Sequence, residues 1–118
     1  MRDFYEAFPN SSSRLSLAPT FSDHIDDVVL DADSIVRIAL PARARFVLIS
    51  FDGPVWIKPG TMETSLAVPV ASISDGSGGE LNPSARRIPE TLADGVTVPS
   101  HLCLRSPMAC QGSLAFYA

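Results

Sequence analysis

The sequence predicts an all-β fold: an antiparallel β-sandwich, jelly-roll-like, carrying an extended N-terminal arm. Short apolar runs recur at residues 34–40, 46–51, 55–58, 66–70, 96–98, 101–104 and 113–117. Each is too short for a stable helix, they are rich in β-branched and aromatic residues, and turn-forming Pro, Gly, Asp and Ser separate them. A chain of 118 residues makes one domain, and a composition of 46% hydrophobic and 19% charged residues is that of a folded globular protein.

Residues 1–22 read as an arm. Phe4, Tyr5 and Phe8 precede Pro9 and the serines at 11–13, with no period of two or of 3.6; residues 3–8 suffice for one helical turn. Such a segment either frays or packs its aromatic residues on a neighbouring subunit, which makes Phe4, Tyr5 and Phe8 candidate partner-binding residues. The body, residues 23–118, opens with five carboxylates in residues 23–33 around an apolar centre at 28–30, a short strand with acidic flanks.

In the next strand Val36, Ile38 and Leu40 share one face, and Arg37 falls on the other, at an edge or interface. Residues 46–51 are apolar on both faces except at Ser50, as expected of a central strand covered on both sides. Asp52-Gly53-Pro54 then predicts a tight turn into residues 55–58, so that these two runs make a hairpin. Residues 66–70 predict a further strand. Residues 73–88 are polar and Gly-rich and read as one long loop. Two last strands, near 96–104 and 113–117, close the molecule, with the final run paired inside a sheet.

The charge of −4 argues against nucleic acid as a partner, because phosphate binding needs a concentrated cationic surface. The single lysine, Lys58, against eight arginines leans towards packed protein contacts. No run approaches the roughly 20 apolar residues of a membrane helix. The first residues lack the basic tip and apolar stretch of a secretory signal, so synthesis in the cytoplasm is expected.

Candidates for chemistry are sparse, and neither an enzymatic activity nor a cofactor is expected. His24 lies in the acidic segment, but the calcium-loop spacing is missing and the only other histidine, His101, is distant in sequence. The Gly-rich loop at 75–79 has neither the helix nor the Lys-Ser or Lys-Thr of a phosphate cradle, and no nucleophile elbow occurs among the serines. If a tight Ser106-Pro107 turn pairs the flanking residues, Cys103 and Cys110 lie opposite each other at disulfide distance; in a reducing compartment they are expected to stay thiols. Trp56 is core, subunit interface or, on a sheet face, a platform for a sugar.

From Arg37 to Ala118 the order of segments resembles small virion proteins of tailed phages and prophages. The likeness is carried by Ala39-Leu40-Pro41-Ala42, residues 46–50, the strand at 55–58, residues 69–73 leading into the Gly-rich loop up to Pro83, and the terminal 112–117. The resemblance implies a β-sandwich that decorates the phage head, or sits at a vertex or in the tail, and often forms trimers. Its implied partners are the major capsid protein and copies of itself, in the virion, with no catalytic residues. The alternative is a carbohydrate- or receptor-binding module of a fibre, vertex or tail, using Trp56 or Tyr117.

Overall fold

A computed structural model describes residues 20–118. The expectations for Phe4, Tyr5 and Phe8 therefore lie outside the described residues. Within these there are eight strands and no helix: β1 (His24–Leu30), β2 (Val36–Ala39), β3 (Phe46–Phe51), β4 (Trp56–Gly60), β5 (Glu80–Leu81), β6 (Ala85–Arg87), β7 (His101–Arg105) and β8 (Cys110–Tyr117). They form two four-stranded sheets, in the orders β1-β8-β3-β6 and β2-β7-β4-β5. Every pairing is antiparallel.

The topology is that of one long hairpin rolled into a sandwich. β1 pairs with β8, β2 with β7, β3 with β6 and β4 with β5, while β3–β8 and β4–β7 contacts complete the sheets. Except between β4 and β5, each connection carries the chain from one sheet to the other. This is the eight-stranded jelly roll.

Period-two patterning places the core. Val28 and Leu30 of β1, Val47 and Ile49 of β3, Ile57 of β4, Leu102 and Leu104 of β7, and Leu114 and Phe116 of β8 all turn inward and are buried. Val36, Ile38 and Leu40 pack against them as their alternation predicts. Full burial of such a side chain stabilises by about 1.5–3 kcal/mol, so these residues hold the sheets together. β8, the last strand, is central, and at Gly112 its backbone passes so close to β3 that a Cβ would collide with the Ser50 carbonyl oxygen.

Several expectations need correction. Residues 46–51 and 55–58 do not form a hairpin: β3 and β4 belong to different sheets, and Asp52-Gly53-Pro54 carries the chain across the sandwich. Turn chemistry bends the backbone in both cases and does not say which sheet it enters. β3 is central as expected, but it is fully covered only on its inner face; Phe46 and Leu48 are half-buried and Ser50 is exposed on the outer one. Cys103 and Cys110 are not opposite each other. Cys103 sits between Arg37 and Lys58 in one sheet, Cys110 beside Leu30 in the other, and both are free buried thiols.

Residues 66–70 and 96–98 are not strands. The first belongs to the connection from β4 to β5, which folds back over the outer face of the second sheet. Leu66 is buried there, so near Gly79 that a Cβ on the glycine would lie 2.8 Å from Leu66 Cδ1. The polar stretch 73–88 is not one loop but contains β5 and β6, which are two and three residues long and edge the two sheets.

Candidate functional site

Three surface features could engage a partner. The first is the outer face of the β1-β8-β3-β6 sheet. Register aligns Ile25 with Ala115, Ala115 with Leu48, and Leu48 with Ala85, an apolar row running across all four strands. Ile25 is 48% exposed and Val29, four residues along the same face of β1, is 70% exposed. Between them Asp27 is exposed, so β1 alternates apolar and acidic side chains towards solvent. At one end of this face Tyr117 is buried and its hydroxyl donates to the Thr20 carbonyl, which ties the start of the described chain to the last strand.

The second feature is the outer face of the β2-β7-β4-β5 sheet, where Trp56 lies. Three cations rise from this face, and each donates to backbone carbonyls of the overlying β4–β5 connection. Arg37 Nη2 reaches Thr64 O at 2.8 Å, Lys58 Nζ reaches Ser77 O at 3.0 Å and Arg105 Nη1 reaches Leu66 O at 2.9 Å. Under this strap Cys103 is fully buried; loss of solvent raises its thiol pKa above 9.0, opposed by the positive charges of Arg37 and Lys58. Trp56 is half-buried and lines an open groove with Pro69, Val70, Ile73, Gly78 and Gly79. Val70 at the groove is fully exposed.

The third is a slot between the sheets, on the side where β6 faces β4 and β5. Core residues Val47, Ile49, Ile57 and Leu102 line it. Glu80 and Arg86 come from opposite sheets, and Arg86 Nε lies 2.7 Å from Glu80 Oε2. Charges at the edge strands of a sandwich discourage edge-to-edge pairing of copies.

The histidines sit apart. His24 meets Phe116 edge-on at 5.7 Å and lies 3.4 Å from Asp26, whereas His101 Nδ1 lies 2.7 Å from Ser100 Oγ on the other sheet. Among the described residues, no group of three or more His, Cys, Asp and Glu could hold a metal ion. The Gly-rich loop is shaped by Asp75, whose carboxylate accepts from the hydroxyl and backbone N–H of Ser77, which lowers its pKa.

Of the predicted site residues, Trp56 is thus placed beside an open groove. Sequence reasoning missed Ile25, Val29 and Leu48. Their signal was the alternation within residues 24–30, masked there by the density of aspartates. No helix among the described residues is long and apolar enough to cross a membrane. No protein-family model, curated protein or solved structure matches the chain.

Proposed function

We propose that the protein is a non-enzymatic structural component of a tailed-phage particle, a head decoration or cement protein that binds the major capsid protein and its own copies, as a homotrimer. The observation that carries this reading is the apolar row across the outer face of the β1-β8-β3-β6 sheet, with Ile25 and Val29 left exposed. Single exposed apolar residues are ordinary on a soluble protein; a row that crosses a whole sheet is the kind of patch that marks a protein contact. The jelly roll supports the reading by analogy, since viral capsid proteins and lectins both use it, and the sequence resemblance favours the former.

Size explains why several copies would act together. Four strands at about 4.8 Å and a length of about 20 Å give a face of about 400 Å², against about 800 Å² per partner in a standard stable interface. One copy would hold weakly, and a trimer spanning neighbouring coat subunits gains by effective concentration. Binding only the assembled shell, it would stabilise that state by mass action.

The direct test is to assemble particles with Ile25→Glu and Val29→Glu variants, substitutions at exposed positions that leave the core untouched. Occupancy on the particle is expected to fall severely while the unfolding midpoint stays close to that of the unaltered protein. Full occupancy by the double variant would overturn this assignment of the contact face.

A second reading has its own observation: Trp56 beside an open, Gly-rich groove suits a carbohydrate- or receptor-binding module of a fibre, vertex or tail. Loss of glycan binding in Trp56→Ala, with particle occupancy unaffected, would favour it.

A further inference from the structure

Each sheet of the sandwich ends in two edge strands, and β1 is unlike the other three. It runs for seven residues, whereas β2, β5 and β6 have four, two and three. It stands at the margin of its sheet and pairs with β8 along its whole length. The ladder fixes where its remaining backbone groups point. Asp52 N–H donates to Gln111 O at 3.0 Å, so Gln111 turns its backbone groups to β3. By alternation Cys110, Gly112, Leu114 and Phe116 turn theirs to β1, where they meet Leu30, Val28, Asp26 and His24. Ile25, Asp27 and Val29 therefore direct N–H and C=O away from the sheet, and no backbone group of the described residues bonds to them there.

An unpaired edge of this length is a template for another strand. β1 has no proline, glycine or lysine to blunt it. It has acid instead: residues 23–33 hold five carboxylates and no Lys or Arg. That charge decides between occupants. In the register of fullest overlap, a second copy's β1 would set two Asp27 side chains directly opposite each other, which is destabilising. A cation in the same place is favoured. Asp27 is exposed, and no Lys or Arg among the described residues pairs with it.

We propose that β1 takes up, as a further strand of its sheet, an extended segment of a partner protein in which a Lys or Arg stands between two apolar residues at alternate positions. Directly opposed residues of paired strands point to the same face. The cation therefore meets Asp27, the apolar residues lie beside Ile25 and Val29, and the apolar row of the outer face grows by one strand. Backbone bonds to Ile25, Asp27 and Val29 supply affinity, and the alternation supplies specificity. This gives the contact chemistry of the face assigned above and rests on that reading for the partner being another protein. The test reads peptide binding alone, so its failure leaves the particle assignment to be judged by occupancy.

The probe is a capped peptide, Thr-Val-Thr-Lys-Thr-Val-Thr, titrated into the full-length protein beside a control with Glu in place of Lys, and amide hydrogen exchange is the readout. In the protein alone the amides of Ile25, Asp27 and Val29 are expected to exchange fast, and those of Asp26, Val28 and Leu30 slowly. The Lys peptide should slow exchange at Ile25, Asp27 and Val29 saturably and bind about fivefold or more tighter than the Glu peptide. Asp27→Lys should reverse that preference. Val29→Pro removes an outward N–H and leaves the β8 ladder intact, so it should abolish binding. An unchanged unfolding midpoint confirms the fold of each variant, and if Val29→Pro does not fold, the reversal by Asp27→Lys decides. Outward amides already protected without peptide, no slowing on its addition, equal affinity for the two peptides, or an unreversed preference would each overturn the proposal.

Discussion

Asn82 clasps Val55 twice: its backbone N–H donates to Val55 O at 2.9 Å, and its side-chain Oδ1 accepts from Val55 N–H at 2.8 Å. Val55 is buried just before β4, so its polar backbone needs these partners. Asn82 does this from a left-handed backbone with φ of 51°, a conformation Asn tolerates better than most residues. Asn82→Ala is therefore expected to cost about 1–3 kcal/mol, because it leaves a buried donor unmet and adds backbone strain. Asn82→Asp, which keeps the acceptor, should cost much less. Urea unfolding of the two variants checks the order; equal losses would contradict it.

Arg105 ties three segments together. It donates from Nε to Asp33 Oδ1 at 3.2 Å, from Nη2 to Asp33 O at 2.8 Å and from Nη1 to Leu66 O at 2.9 Å, thereby fixing the β1–β2 turn and the strap to β7. A lysine cannot reproduce that planar fork. Arg105→Lys should lower stability by about 1–2 kcal/mol and speed proteolysis within residues 61–79. A variant as resistant as the parent would show that Leu66 alone holds the strap.

Cys103 makes the chain sensitive to alkali. Burial raises its thiol pKa above 9.0 in the folded protein, so the neutral thiol is favoured there. The unfolded chain loses this proton at lower pH than the folded one. The associated stability is fully present below pH 9 and is lost as pH rises through the higher folded value. Cys103→Ala should flatten this alkaline loss. The native protein should resist alkylation at both cysteines near neutral pH and lose no two-hydrogen mass, because Cys103 and Cys110 lie in different sheets.

Much of the fold is legible in the sequence, and the gaps have physical causes. Alternation at Val36, Ile38 and Leu40, and at Leu114 and Phe116, reports burial directly, since strand side chains switch faces at every residue. Which strands share a sheet is not local information. Asp52-Gly53-Pro54 and Ser106-Pro107 bend the chain, yet both bends lead across the sandwich rather than back along a sheet. The run at 66–70 resembles a strand because it buries Leu66 against the sheet, but the Leu66 carbonyl accepts from the Arg105 side chain instead of from a ladder. Glu80 and Arg86 sit in strands too short to register against their polar surroundings, and the slot they guard exists only once the two sheets face each other.

Removal of the arm addresses a different link. The core cluster of the described residues lies within residues 28–116. A chain beginning at residue 23 keeps this core and is expected to unfold close to the midpoint of the whole protein, with loss of the Tyr117–Thr20 bond. Its incorporation into particles should fall strongly, and Phe4, Tyr5 and Phe8 together replaced by Ala should reproduce most of the fall. Unaltered incorporation would leave the body as the sole attachment surface.

The most direct measurement of the central claim is an image reconstruction of the assembled particle. Trimeric density is expected on the head, with the β1-β8-β3-β6 face carrying Ile25, Leu48 and Val29 pressed against coat subunits, and the strap over Cys103 facing outward. A particle on which that face is open to solvent, or which does not carry this chain on its head, would contradict it.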